Sequence, residues 1–239
     1  MMSTNHSLMM PPCLSICPVL AKLNDAVPKC DTWGEILRVI VGQGEQQSHF
    51  YVHRGVICAV SPCFDAAFNG YFKEAKDNVI YLDEDDSSVF RDFYKWLYTR
   101  CLPDLTDPIR LIKLAIFADA RIVDALRIAA IDALVENINQ YWRIPVWTIP
   151  YVYEHTRPNS GLRKLVVDMV LRTQVSIADA GPGVNVPEFV ADYNAALHGF
   201  SSGERIVSQA IWRNTNRCKY HEHVHDPIGW APPTRRVGL

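Results

Sequence analysis

The clearest pattern near the start of the chain is a set of short apolar runs separated by turn residues. Ile36–Val41 is an apolar run that ends at Gly42, which is typical of a buried strand followed by a turn. His49–His53 follows the turn and predicts the partner strand of a hairpin. Val79–Leu82 predicts a third strand further along the chain.

Helical spacing of apolar residues begins after the hairpin. Gly55–Val60 carries apolar residues at that spacing and predicts one short helix. Ser61-Pro62 marks the start of the next helix, because serine caps free N–H groups and proline fits the first helical position. Phe64 begins the buried side of this second helix.

The strongest helical periodicity follows the acidic cluster at residues 83–86, which suits the positive end of a helix dipole. The apolar stripe of this helix consists of Val89, Phe90, Phe93, Trp96 and Leu97. Asp107-Pro108 repeats the cap-and-proline signal, and two more helices are predicted, one after it and one near residues 126–134. Residues 31–138 therefore predict an α/β (α+β) arrangement in the order strand, strand, helix, helix, strand, helix, helix, helix.

The chain beyond residue 138 has a different pattern. Two Ile-Pro steps interrupt residues 141–153, so we expect an irregular stretch whose aromatic residues pack against the core or form a peptide-binding surface. Three helices are then predicted near Leu162–Arg172, Pro187–Leu197 and Glu204–Arg213. The predicted organisation is an irregular segment 1–30, a domain 31–138, a helical extension 139–226 and a flexible tail 227–239.

Composition narrows the classes of function. The 239 residues are 49% hydrophobic and carry a net charge of −2, without a basic tract, so we expect no nucleic-acid partner. No apolar run approaches the roughly 20 residues that cross a bilayer, and the first ten residues lack the basic start of a signal peptide. The seven cysteines are odd in number and irregularly spaced, which indicates a reducing compartment, cytoplasm and/or nucleus.

Candidate chemistry is sparse. The sequence contains no G-x-S-x-G, H-E-x-x-H or phosphate-loop motif, so we expect no enzyme and no cofactor, and we expect His53 to make structural hydrogen bonds. The acidic run at 83–86 lacks the spacing of a calcium loop and favours a helix start. Four residues of types that bind metals cluster near the end of the chain and predict either a zinc site or a solvated polar turn: Cys218, His221, His223 and His225.

Between residues 34 and 102 the individual marks combine into a specific pattern. In order these are Glu35, Phe50-x-Val52-His53-Arg54-x-Val56, Ser61-Pro62-x-Phe64, Gly70-Tyr71-Phe72-Lys73-Glu74, Ile80-x-Leu82-x-Glu84-Asp85-Asp86, Phe90 and Trp96-Leu97-Tyr98-Thr99. This pattern resembles the BTB/POZ domain, in the form found in filamentous fungi. The resemblance implies a BTB/POZ fold, with a short mixed sheet flanked by a helical cluster and a mainly α-helical C-terminal extension. It also implies structural roles for Glu35, Val52, His53, Ser61, Phe64, Leu97 and Tyr98.

The resemblance further implies a protein–protein interaction adaptor. Many BTB proteins bridge a substrate to a cullin-RING ubiquitin ligase, and a hydrophobic-x-Glu element of those relatives contacts the cullin. Phe72 and Glu74 stand at the matching place, so the expected partners are a cullin and an unknown substrate. The alternative is a homo-oligomeric scaffold or transcription-regulatory protein without a ligase role. Prolines at 11, 12, 18 and 28 leave only a short helix ahead of the first strand, so a homodimer of the standard type remains open.

Overall fold

The computed structural model describes residues 33–70, 73–102, 107–142, 146–173, 185–198, 209–213 and 216–222. Three strands lie within the described residues: β1 (Ile36–Val41), β2 (Ser48–His53) and β3 (Val79–Leu82). The first helices are α1 (Arg54–Val60), α2 (Pro62–Asn69), α3 (Lys73–Asp77), α4 (Ser87–Thr99), α5 (Pro108–Ala120) and α6 (Asp124–Tyr141). The later helices are α7 (Ile149–His155), α8 (Gly161–Thr173), α9 (Pro187–His198) and α10 (Gln209–Arg213).

The three strands form one mixed sheet in the order β2-β1-β3. Strand β1 pairs antiparallel with β2, placing Val39 opposite Phe50, and parallel with β3, placing Val39 opposite Ile80. Side chains alternate between the two faces of a strand, so Val39 and its neighbours on that face are buried against the helices. The opposite face carries exposed side chains, including Tyr51 and Tyr81. The predicted hairpin and third strand are confirmed.

Local sequence signals explain where three of the helices start. Ser61 accepts a hydrogen bond from the Phe64 N–H at 3.1 Å and so caps α2, while its own hydroxyl donates to the Arg121 carbonyl at 2.6 Å. Asp86 caps α4 through the Ser88 N–H at 2.8 Å, and Asp107 caps α5. The interpretation of the acidic run as a helix start is therefore confirmed at Asp86.

One continuous hydrophobic core runs through the sheet, helices α1, α2 and α4 to α6, and the later helices. Its centre is α6, which is buried along almost its whole length and packs against α5. On its other sides α6 meets α10 and the 3-10 turn Arg217–Tyr220. The mixed sheet with its helical cluster confirms the predicted fold class, whereas the division at residues 138 and 139 stays a prediction. No helix in the described part of the chain is long and apolar enough to cross a membrane.

The expectation of an irregular stretch at 141–153 is wrong where the structure describes it. Helix α6 continues to Tyr141, Val146–Thr148 is a 3-10 turn, and Ile149–His155 forms α7. Pro150 stands in the first turn of α7, where a missing N–H breaks no hydrogen bond. The second Ile-Pro step therefore starts a helix, and the first lies outside the described residues.

Other differences are smaller. Helix α3 was not predicted, since its five residues carry no apolar periodicity. Helices α8 and α9 confirm two of the three helices predicted beyond residue 160, and the third is seen only from Gln209 onward. The short helix expected near residues 19–25 lies outside the described residues.

Replacing Ser61 with alanine is expected to lower the free energy of unfolding by about 1–3 kcal/mol, because α2 loses its cap and the Arg121 carbonyl loses its donor. Chemical denaturation followed by circular dichroism measures this loss. Ser88→Ala is the matched control, since Ser88 is exposed and Asp86 still caps α4; its expected effect is about 0.5 kcal/mol or less. Equal losses in the two variants would contradict the double role of Ser61.

Candidate functional site

The segment that carries the predicted partner-binding residues lies between α2 and β3. Glu74 is half-buried in the first turn of α3, a position that suits an acidic side chain. Helix α3 packs against α2 and β3. Phe72 lies outside the described residues, so of the predicted pair only Glu74 has a described position.

Arg54 holds both ends of this segment. Its guanidinium donates to the Phe68 carbonyl at 2.5 Å and to the Asn69 side chain at 3.0 Å, at the end of α2. The same group donates to the Asn78 side chain at 2.5 Å, immediately before β3. The planar, multiply bonded side chain of Arg54 therefore joins two anchor points, the end of α2 and Asn78, and α3 lies between them along the chain.

Glu35 completes this network from the start of the sheet. Its carboxylate accepts from Arg54 at 3.1 Å and from the Asn78 amide at 3.3 Å. The Glu35 side chain is mostly exposed, so this ion pair contributes little stability by itself and mainly orients Arg54. Sequence reasoning named Glu35 but missed Arg54 as the organising residue, although Arg54 stood within the quoted motif.

The other residues of the motif lie in or beside the core. Val52, Phe64 and Leu97 are buried there. His53 lies where β2 passes into α1: its backbone N–H donates to the Tyr98 hydroxyl at 3.0 Å, and its Nδ1 lies 3.0 Å from the same oxygen. Burial raises the pKa of Tyr98, so its hydroxyl keeps its proton and can donate to Nδ1.

Two of the four candidate zinc residues have described positions, and they face different surroundings. Cys218 is half-buried and is not part of a disulfide. His221 is fully buried, and its Nε2 lies 2.8 Å from a carboxylate oxygen of Asp132. Within the described residues no group of three potential ligands surrounds a common point. His223 and His225 lie outside the described residues, so the choice between zinc site and polar turn stays a prediction.

The aromatic residues of the 141–153 stretch divide between core and surface. Tyr153 is buried and donates its hydroxyl hydrogen to Asp192 at 2.9 Å. Trp147 is 67% exposed, and Tyr141 is 44% exposed. Tyr151 and His155 stack on the same side of α7, with ring centroids 4.2 Å apart. Core packing is confirmed for Tyr153, whereas a peptide-binding role for the exposed Trp147 and Tyr141 stays a prediction.

A cleft of about 300 Å³ lies between α8, α9 and the 3-10 turn, and it contains ionisable side chains. Asp168 accepts from Tyr220 at 2.5 Å and from Arg172 at 2.9 Å. Burial raises the pKa of Tyr220, and Asp168 raises it further. Burial opposes ionisation of Asp168, but the charge of Lys219 and the hydrogen bonds outweigh it and lower the pKa of Asp168. Asp168 therefore stays charged and Tyr220 keeps its proton near neutral pH, where acid–base catalysts exchange protons.

The half-buried thiol of Cys58 is likewise poorly suited to nucleophilic chemistry. Burial, followed by the charge of Asp65, raises its pKa to about 11. The thiolate is the reactive form of cysteine, and at neutral pH this side chain remains a thiol. Cys58 therefore acts as a packing residue.

The comparison with known protein families identifies one domain. Residues 37–123 match the family model of the BTB/POZ domain, which covers the sheet, α1 to α5 and the turn after α5. The match and the three-stranded mixed sheet with its helical cluster agree on a BTB domain. BTB/POZ domains are protein–protein interaction modules found in adaptors and scaffolds, and the fold is not typically catalytic. The filamentous-fungal form of the domain stays a prediction.

Arg54→Ala is expected to speed amide hydrogen exchange across residues 70–78 by at least about tenfold, because hydrogen bonds of about 1.5–3 kcal/mol to a charged group are lost at both ends. Exchange followed by mass spectrometry measures the change. Arg91→Ala removes an exposed arginine on α4 and serves as the control. Indistinguishable exchange in the two variants would show that Arg54 does not hold the segment.

Proposed function

We propose that this chain, with the BTB/POZ domain at residues 37–123 as its docking platform, is an adaptor that brings a substrate to a cullin-RING ubiquitin ligase. The observation that carries the proposal is the position of Glu74, on a short helix between two anchor points that Arg54 joins. In sequence, Phe72-Lys73-Glu74 matches the hydrophobic-x-Glu element with which ligase-associated BTB proteins contact a cullin.

The physical argument is one of preorganisation. A partner that binds a segment already fixed in place loses less conformational entropy than one that must order it. The carboxylate of Glu74 then sets register through a charged contact, and Phe72 supplies the apolar anchor beside it. Phe72-Lys73-Glu74 therefore combines the two kinds of contact that docking needs.

The extension supports a second, substrate-facing role. It shares the hydrophobic core with the BTB domain, so a substrate bound on the extension is held at a defined position relative to Glu74. Trp147 and Tyr141 are exposed, and large aromatic residues are enriched in protein interfaces. We propose that these two exposed side chains contribute to substrate capture.

The proposed compartment is the cytoplasm and/or nucleus. The four cysteines with described positions form no disulfide, which suits a reducing environment; they are Cys58, Cys63, Cys101 and Cys218.

Glu74→Lys is expected to weaken capture of a cullin by at least about a hundredfold, because it sets a positive charge where the partner requires a negative one. Affinity purification from native cells with mass spectrometry, followed by titration of the purified cullin, measures this loss. Glu188→Lys makes the same charge change at an exposed position on α9 and should bind like the wild type. Equal cullin binding by Glu74→Lys, or none by the folded wild type, would exclude the ligase function.

A second candidate function is a homo-oligomeric scaffold, and the outer face of the sheet favours it. Ile36, Tyr51 and Tyr81 lie on this face and are 60%, 58% and 60% exposed. Large exposed hydrophobic side chains grouped on one face, beside the polar Arg38 and His49, are typical of an interaction surface.

If this face joins two copies, the wild type should elute as a dimer in size-exclusion chromatography with light scattering, and Tyr81→Lys should elute as a monomer. The physical reason is that a buried lysine without a partner opposes association. Tyr141→Lys alters an exposed tyrosine elsewhere and should leave the dimer intact. A strictly monomeric wild type would contradict the scaffold function.

A further inference from the structure

The last described residues of the chain lie across two helices from different parts of the fold. Residues 216–222, here named the C-terminal strap, comprise the 3-10 turn Arg217–Tyr220 and the two residues after it. The turn contacts α6 on one side and α8 on the other. Three consecutive residues of the strap, 220 to 222, each meet a different set of side chains in this groove.

Tyr220 occupies the α8 side of the groove. Its side chain is 1% exposed, and its hydroxyl donates to Asp168 at 2.5 Å. Its ring packs beside that of Trp212 on α10, with centroids 6.4 Å apart. The contact therefore combines burial of an aromatic ring with a hydrogen bond that phenylalanine cannot make.

His221 occupies the α6 side. It has no exposed surface, and its Nε2 lies 2.8 Å from the carboxylate of Asp132, which is itself 1% exposed. A carboxylate only accepts hydrogen bonds, so the imidazole is the donor. This buried, charge-assisted bond requires a donor at this position of the strap.

Glu222 closes the end of the strap. Its carboxylate accepts from Arg157 at 2.6 Å and from the backbone N–H of Gly161 at the start of α8. The buried guanidinium of Arg127 donates to the backbone carbonyls of His221 at 2.9 Å and Glu222 at 3.1 Å. The groove therefore binds both the backbone and the side chains of these residues.

Gly161 permits this contact because it has no side chain. A Cβ placed on Gly161 would lie 1.9 Å from the carbonyl oxygen of Tyr220, far inside van der Waals contact. Any side chain here would push the strap away from α8. The start of α8 thus leaves room for a peptide backbone to approach closely.

We propose that the groove between α6 and α8 is a peptide-recognition site for a Tyr-His-Glu sequence, occupied in this chain by its own residues 220–222. A segment that was held in the groove only by packing would need no more than buried apolar side chains. Here a phenol, an imidazole, a carboxylate and two backbone carbonyls each meet a matched polar partner. Such a site selects its occupant by chemistry, and it can accept the same sequence presented by a separate peptide.

The experiment uses the full-length chain with a protease recognition sequence inserted between α9 and α10. After cleavage, a fluorescent synthetic peptide of residues 209–225 is titrated against the cleaved protein, and its binding is followed by anisotropy while the native fragment is displaced. The wild-type peptide is expected to bind and displace the fragment. Peptides with His221→Ala or Glu222→Ala should bind at least about tenfold more weakly, the factor that corresponds to one net hydrogen bond of about 1.4 kcal/mol.

The control peptide carries Arg213→Ala, an exposed position, and should bind like the wild type. All substitutions lie in the peptide, so the folding of the protein does not affect the comparison. Equal binding by the wild-type peptide and by one in which residues 220–222 are all alanine would overturn the proposal, since Trp212 would then account for retention. Failure of the wild-type peptide to displace any fragment would overturn it as well.

Discussion

Helix α6 is buried along nearly its whole length, and the arrangement of the chain follows from that constraint. Helix α5 covers only one side of it, so other elements have to cover the remainder. Burial of apolar side chains stabilises a fold by about 25 cal/mol per Å² removed from water, and an uncovered face of α6 would forfeit that contribution. The later helices therefore complete the core of the BTB domain and share its hydrophobic cluster.

Helix α6 also places charged side chains in the interior of the protein. The C-terminal strap supplies hydrogen-bond partners for them. Arg127 and Asp132 are almost completely buried, and a buried charge without a partner is strongly destabilising. Asp124 and the strap carbonyls meet Arg127, while His221 meets Asp132. Pairing of these buried charges favours one arrangement of the extension over others, because an alternative without these contacts would leave a buried charge unmatched.

The surfaces available to partners are placed on this rigid body in different ways. Glu74 stands on a short helix whose flanking residues Arg54 holds, so its position depends on hydrogen bonds rather than on deep burial. Trp147 lies on the outer side of the 3-10 turn before α7. The other two residues of that turn pack against the core. An adaptor benefits from both arrangements, since fixed contact residues on one body hold two partners at a constant separation.

The sequence alone determined the strands, most of the helices and the BTB resemblance, because those signals are local. Ser61 caps a helix that starts at the next residue, and Glu74 was recognised from its immediate neighbours. Tertiary structure decided what distant residues do to one another. Pro150 starts a helix instead of ending regular structure, and His221, a candidate zinc residue by spacing, meets Asp132 from 89 positions away. Helix packing brings such side chains together, and no periodicity along the chain records which faces will meet.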